Sequence, residues 1–179
     1  MNLSRIGYFF IVSTLIFTAC QGKKEPQRVV FQKQAEEFDP LLEMNKKKVQ
    51  LEAEDITLFL KRYDWKMKDS GTGLKYELLK QGTGQKADSL DVVTLKYKIF
   101  LLTGEEIYNS EADGLKTFKL EKDYEVSGLH EAVRMMRLGD IMRLIMPSHL
   151  AYGLVGNREK VPTNSTLAYQ IELIQIIKE

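Results

Sequence analysis

The spacing of hydrophobic residues divides the chain into a helical first half and a strand-rich second half. Apolar residues recur at helical intervals in two runs, 41–51 and 56–63. Asp39 and Pro40 stand before them as a helix N-cap followed by proline at the first helical position. We therefore predict a helical arm over residues 39–70, which either packs on its own domain or pairs with a second copy.

From residue 74 onward the hydrophobic period becomes two. Residues 93–101 alternate apolar and polar side chains, as expected of a strand with one buried face, and residues 167–173 do the same. Residues 128–138 form a single helical stretch among these strands. Because no helix separates successive strands, the pattern predicts an antiparallel α+β domain of about five strands and one short helix, preceded by the arm.

The first twenty residues have the pattern of an export signal. Arg5 precedes an uncharged stretch, residues 6–17, which as a helix spans about 18 Å against a hydrocarbon core of ~30 Å. A positive start, a short apolar stretch and a small-residue site are typical of a secretory signal peptide. Residues 17–20 (FTAC) also resemble the lipobox of bacterial lipoproteins, although Phe17 stands where that family usually has leucine.

The lipoprotein resemblance implies a signal peptide over residues 1–19 and a diacylglycerol on the sulfur of Cys20. Residues 20–38 are polar and without a sustained period, which indicates a flexible tether. Gln21 after the cysteine is compatible, by the same analogy, with transfer to an outer membrane. We expect a cell-envelope protein held by lipid at the outer membrane and facing the periplasm. The alternative is a short membrane segment that is retained, with Cys20 an incidental thiol.

Composition excludes several other classes of protein. The formal charge of +1, from 26 Lys+Arg and 25 Asp+Glu, gives no basic footprint for nucleic acid. One cysteine and two histidines are too few for an internal disulfide or a Cys- or His-rich metal site. A G-x-G-x-x-A match at residues 82–87 leads into a strand, whereas a dinucleotide phosphate needs a helix there. We predict no metal and no cofactor, and the sequence leaves the oligomeric state open.

Four segments carry a family resemblance. In order, they are residues 91–97 (DVVTLKY), 126–133 (VSGLHEAV), 151–153 (AYG) and 161–169 (VPTNSTLAY). Together they resemble the FKBP-type peptidyl-prolyl cis-trans isomerase domain over residues 74–179, with a core at about 88–179. The resemblance implies a sheet wrapped on the short helix, proline-containing client proteins and isomerase activity without a cofactor.

A narrower resemblance rests on the signal, the charged arm with residues 61–65 (KRYDW) and the SGLHEA turn. These features are similar to those of lipid-anchored FKBP-type proteins of gliding bacteria, which are associated with gliding motility. The resemblance implies that the protein supports gliding motility or secretion.

The implied reaction needs no nucleophile. Rotation about an X–Pro bond faces a barrier of ~18–20 kcal/mol, because amide resonance must be broken. An apolar cleft that grips the proline ring and excludes water disfavours the planar ground state, and a few oriented donors favour the twisted amide. A chain without a metal or a catalytic triad is therefore compatible with this activity.

Taken position by position, the resemblance implies an aromatic cleft. Tyr97 lies on the central strand, Val126 offers its N–H to a substrate carbonyl, Leu129 forms the floor and Tyr152 donates a phenolic hydrogen bond. The other implied residues are catalytic Tyr108, Asn109 and Tyr169, and substrate-binding Phe118 and Val161. The alternative interpretation of the aromatic residues is an ordinary sheet core.

Three departures from the family pattern bear on catalysis. Asn109 stands where active members commonly have aspartate, Leu129 replaces a tryptophan, and Lys116 falls where an aromatic residue is common. They predict slow catalysis, or a cleft that holds proline segments with little turnover. The sequence thus leaves two hypotheses, a membrane-tethered isomerase and a proline-segment-binding chaperone or machinery component.

Overall fold

The computed structural model describes residues 39–179. The predicted signal peptide (residues 1–19), the lipidation site Cys20 and the predicted tether (residues 20–38) lie outside the described residues. No helix within residues 39–179 is both long enough and apolar enough to cross a membrane.

Helix α1 spans Pro40–Arg62 in one piece, although the sequence indicates two helical runs. The carboxylate of Asp39 caps it by accepting from the N–H of Leu41 at 2.9 Å and of Leu42 at 3.3 Å. Just after the helix ends, Asp64 adopts a left-handed conformation with φ 50°, which turns the chain away. The helix therefore ends before residue 70, the predicted limit of the arm.

The remaining described chain forms a seven-stranded, wholly antiparallel sheet with order β1-β2-β6-β7-β3-β4, in which β5 also pairs with β3. The strands are β1 (Lys68–Asp69), β2 (Lys75–Lys80), β3 (Val92–Leu101), β4 (Glu106–Asn109), β5 (Lys116–Lys119), β6 (Ile141–Met146) and β7 (Leu167–Ile177). The helices are α2 (Ser110–Asp113) and α3 (Ser127–Met135), with 3-10 turns at Ser148–Leu150 and Gly153–Val155. The predicted α+β fold is confirmed; a strand as short as β1 shows no period in the sequence.

The main core lies between the inner face of the sheet and α3. The apolar stripe of α3 is almost fully buried: Leu129 is 1% exposed, and Ala132 and Val133 are 0% exposed. These residues belong to the same buried cluster as Leu95 and Ile171 on neighbouring strands. Burying a Leu or Val side chain stabilises the fold by about 1.5–3 kcal/mol, so this stripe fixes α3 against the sheet.

Helix α1 packs on the opposite, outer face of the sheet. Ile56 and Phe59 form a second buried cluster with Ile145 of β6 and Ala168 of β7. This packing agrees with the first of the two alternatives for the arm, contact with its own domain.

A polar contact joins α1 to the loops beside the sheet. The carboxylate of Glu52 accepts from the Ser148 N–H at 2.6 Å, the Ser148 hydroxyl at 3.1 Å and the Thr166 hydroxyl at 2.6 Å. Three donors on one half-buried carboxylate make this an effective docking contact, because hydrogen bonds to a charged group are the stronger ones.

Replacing Glu52 should loosen the arm. We expect Glu52→Ala to lower the free energy of unfolding by about 1–3 kcal/mol, because the donors of Ser148 and Thr166 lose their acceptor. Chemical denaturation gives the loss, and faster amide exchange along α1 locates it. Glu54→Ala is the matched control, since Glu54 is exposed and accepts from Gln50 of the same helix. Equal losses in both variants would show that the contact adds no stability.

Candidate functional site

Tyr97 lies where one edge of the central strand changes partner. On one side β3 pairs with β7 along its length, but on the other side β5 covers its first half and β4 its second half. The β5 register ends at Leu95 and the β4 register begins at Lys98. Between them the Tyr97 N–H donates to the Ser110 hydroxyl at 3.3 Å. The strand edge therefore opens at Tyr97.

Two further tyrosines share the inner face of the sheet beside this opening. Ile99 of β3 is directly opposite Tyr108 of β4 on one side and Tyr169 of β7 on the other. Cross-strand partners project from the same face, and Ile99 belongs to the core under α3. Tyr169 is 3% exposed, whereas Tyr97 and Tyr108 are half-buried. The register thus brings these predicted residues to one side of the molecule.

The N-terminus of α3 presents a backbone donor. Val126 is the N-cap residue, with extended dihedral angles (φ −64°, ψ 137°), and is 8% exposed. Within residues 39–179, its N–H has no backbone or side-chain acceptor. Leu129, one turn further on, points into the core. The two predicted roles, a free N–H at Val126 and a floor at Leu129, are compatible with these positions.

A cleft of about 300 Å³ opens beside Val126. We call it the tyrosine cleft, and it is lined by Lys116, Tyr124, Glu125, Val126, Ser127, Ala151, Tyr152, Val155 and Gly156. Tyr152 follows the 3-10 turn Ser148–Leu150, and its hydroxyl has no hydrogen-bond partner within the described chain. Of the predicted residues, Val126 and Tyr152 line the cleft directly.

The tyrosines form an electrostatic cluster. Burial raises the pKa of Tyr152 to about 12. The negative charge of Glu125, and that of Tyr108 and Tyr97 once they ionise, act in the same direction. Burial also raises the pKa of Tyr169 well above its ordinary value, with Tyr152 and Glu125 adding to the effect. These phenols are therefore neutral at physiological pH, and Tyr152 presents an apolar ring and a protonated hydroxyl to the cleft.

Tyr108 is held by the loop between the second 3-10 turn and β7. Its hydroxyl donates to Glu159 at 2.9 Å and accepts from the Asn157 amide at 2.7 Å. Asn157 also accepts from the N–H of Val161 at 2.8 Å, and Val161 is 3% exposed. Burial comes first, and the bond to Glu159 second, in raising the pKa of Tyr108. Val161 therefore supports the wall of the site from within the core.

Asn109 and Phe118 are placed differently from the other predicted residues. The side-chain oxygen of Asn109 caps α2 by accepting from the N–H of Glu111 and of Ala112, each at 2.9 Å, and its amide donates to Glu106 at 2.6 Å. Phe118 is 3% exposed and packs edge-on against the His130 ring. Asn109 is thus a helix cap and Phe118 a core residue; their functional roles stay predictions.

The structure adds an ion pair that the sequence did not indicate. Lys116 donates to Glu125 at 2.7 Å, with side-chain exposures of 25% and 18%, and its ammonium lies 5.8 Å from the centre of the Tyr97 ring. Lys116 stands out in the sequence only as a departure from an aromatic residue. Its partner lies nine residues away, outside any helical or strand period, so no pattern pairs the two.

Known proteins share this architecture. The family of FKBP-type peptidyl-prolyl cis-trans isomerases matches residues 83–174. The chain belongs to this family. The FKBP-type isomerase FkpA of Escherichia coli (strain K12) is 33% identical over 110 residues, covering 62% of the chain and 40% of that protein. A probable FKBP-type isomerase FkpA of Neisseria meningitidis serogroup B is 29% identical over 157 residues, covering 86% of the chain and 57% of that protein.

The crystal structure of FkpA from Escherichia coli superposes with a TM-score of 0.62 at 29% identity, covering 76% of the chain and 63% of that structure. The family and the FKBP-like fold predicted from the sequence are thereby confirmed. The chain spans about half the length of these curated relatives.

The raised pKa of Tyr152 makes a prediction for alkaline pH. The unfolded chain releases this proton near the ordinary value of 10.0, whereas the folded FKBP-type domain holds it to about 12. The stability that Tyr152 contributes is therefore complete below the lower value and is lost as pH rises through the upper one. Nuclear magnetic resonance of ring-labelled tyrosine, assigned with Tyr152→Phe, would follow the phenol. A Tyr152 phenolate at the ordinary pKa would contradict the burial argument.

Proposed function

We propose that the protein is an active peptidyl-prolyl cis-trans isomerase whose clients are proline-containing segments of exported proteins. The observation that carries the proposal is the unpartnered N–H of buried Val126 in a cleft beside neutral tyrosines. Because Val126 lines the cleft and its N–H has no acceptor within the described chain, this N–H is free to donate to a carbonyl oxygen that a ligand brings. A peptide segment supplies such an oxygen at every residue.

The residues of the cleft supply what amide rotation needs. The Tyr152 ring in the cleft lining offers an apolar surface for a proline ring, and the Tyr97 ring lies nearby, 5.8 Å from the Lys116 ammonium. Apolar rings of this kind exclude water from the amide. The Val126 N–H holds a carbonyl, and the free Tyr152 hydroxyl donates to a group whose geometry changes during rotation. Donors that bind the twisted amide better than the planar one lower the barrier, and neither residue needs to exchange a proton.

Removing the Tyr152 hydroxyl should slow catalysis. We expect Tyr152→Phe to lower kcat/KM on a proline tetrapeptide about 3–10-fold, since one neutral hydrogen bond contributes about 0.5–1.5 kcal/mol. A protease-coupled assay on the purified protein gives the rate. Tyr76→Phe is the matched control, because Tyr76 is a half-buried tyrosine on β2 that packs against the core away from the cleft lining. Equal activity in both variants would remove Tyr152 from the proposal.

The second candidate is a binding module with little turnover. The capping role of Asn109 favours it, because both polar groups of this side chain are occupied by Glu106, Glu111 and Ala112 rather than by the cleft. A folded wild-type protein that binds proline peptides but leaves their isomerisation at the rate of buffer would support this candidate. It would overturn the proposal of an active enzyme.

We further propose that lipid on Cys20 attaches the protein to the outer membrane, where it faces the periplasm and supports gliding motility or secretion. The support is the sequence pattern of residues 1–20 and the resemblance of the arm and the SGLHEA turn to lipid-anchored proteins of gliding bacteria. Two or more acyl chains hold a protein on a membrane stably, whereas a single chain does not.

Cys20 can be tested by itself. In a Gram-negative bacterial host given radioactive palmitate, we expect the wild-type protein to be labelled and found with the membranes. We expect Cys20→Ala to lose the label, because the thiol that receives the lipid is gone. Gln21→Ala is the matched control and should keep the label. Membrane association without label in the wild type would instead favour a retained signal segment.

A further inference from the structure

The Lys116–Glu125 pair lies in the wall of the tyrosine cleft. Both side chains line the cleft together with Val126 and Tyr152. Their exposures of 25% and 18% leave them partly shielded from water, so their charges are screened less than those of exposed groups. Glu125 also directly precedes Val126, the residue with the free N–H, in the sequence. A peptide held by Val126 therefore comes within one residue of this carboxylate.

Two more carboxylates from separate segments face the tyrosines. Asp113 of α2 accepts from the Asn109 N–H at 2.9 Å, and after burial its charge is the largest influence raising the pKa of Tyr97. Glu159 accepts from the Tyr108 hydroxyl at 2.9 Å. With Glu125, this makes three carboxylates.

Two ammoniums of the described residues lie near the rings of Tyr97 and Tyr108. Lys116 is engaged by Glu125, and the ammonium of Lys160 lies 4.7 Å from the centre of the Tyr108 ring. Together, the two ammoniums and the carboxylates of Asp113, Glu125 and Glu159 carry a formal charge of −1, and of these groups Lys116 and Glu125 line the cleft itself. Burial is the main cause of the raised pKa values of Tyr97, Tyr152 and Tyr169, and carboxylate charges act in the same direction.

We propose that these charges make the cleft select its clients, favouring lysine or arginine immediately before the proline and disfavouring aspartate or glutamate there. The inference rests on the proposed binding of proline segments in this cleft. The side chain before the proline is attached next to the rotating amide, so it stays near the cleft wall whichever carbonyl Val126 holds. Glu125 and Lys116 are the charged groups at that place.

The two kinds of client differ in what they do to the ion pair. A basic side chain joins Glu125 without displacing Lys116, because one carboxylate has room for two donors. An acidic side chain that reaches Lys116 brings a second carboxylate beside Glu125, and the two repel each other. Like charges brought together in this way are strongly unfavourable at a binding surface.

Three tetrapeptides that differ only in the residue before proline test the proposal. With lysine, leucine or glutamate at that position, we expect the purified wild-type protein to show a kcat/KM ratio of lysine to glutamate peptide of about tenfold at low ionic strength. Because the effect is electrostatic, the ratio should fall as salt is added. The same three peptides are also titrated for binding, so the preference is measured whether or not turnover is fast.

Variants of the pair should shift the ratio in opposite directions. Glu125→Gln should reduce the lysine preference, because the acceptor for the basic side chain loses its charge, and Lys116→Gln should increase it. Glu179→Gln is the matched control: Glu179 pairs with Lys119 on the same strand as Lys116, outside the cleft lining. This control should keep the wild-type ratio.

The outcomes separate this inference from the proposed function. Turnover of all three peptides at equal kcat/KM, or a preference for glutamate, would overturn the charge selection and leave the isomerase proposal standing. No turnover of the leucine peptide by the folded protein would overturn the isomerase proposal. The binding titration would then decide the charge selection, which equal affinities would refute.

Discussion

Strand β3 needs two neighbours on one of its edges, and the site exists because of this. Ten residues long, it is covered on one side by β7, but on the other side β5 and β4 each satisfy only part of its backbone. Buried N–H and C=O groups must be paired, so the chain between β5 and β4 has to close the gap. It does so with Ser110 of α2, which takes the Tyr97 N–H. Tyr97 is thereby left at an opening in the sheet rather than beneath a continuous neighbour.

The opening lies near the cleft, because the Tyr97 ring is 5.8 Å from the ammonium of Lys116, a cleft residue. The Tyr97 ring, which would pack as a core side chain under a continuous sheet, remains partly accessible, as does the Tyr152 ring between the two 3-10 turns. Burial raises the pKa of both hydroxyls and so keeps them protonated. Neutral phenols and a backbone N–H bind a peptide without committing to one side-chain chemistry. The partly shielded Lys116–Glu125 pair is different, because its charges respond to the client. In our proposal, the phenols and the Val126 N–H bind the peptide, and the Lys116–Glu125 pair selects the residue before the proline.

The spacing of hydrophobic residues predicts those helices and strands of this protein that bury one face in the core. The alternation along β3 and the stripe of α3 follow directly from which side chains leave water, so the fold and Leu129 in the core were predictable. The tyrosines were found through a family resemblance, since spacing alone does not separate a cleft ring from a core ring. The capping by Asn109 and the Lys116–Glu125 pair were not predictable, because loop conformation brings these partners together.

Helix α1, on the outer face of the sheet, is connected to the tyrosines on the inner side through two segments that hydrogen-bond to Glu52. One is the turn Ser148–Leu150, which leads directly into Tyr152; the other is Thr166, which precedes β7 and Tyr169. Alternate residues of β7 face opposite ways, so Ala168 packs under α1 while its neighbour Tyr169 joins the tyrosine cluster. Because protein interiors are closely packed, a shift of α1 against Ala168 is felt one residue away. The arm therefore belongs to the support of the site, and its docking helps to set where the two tyrosines stand.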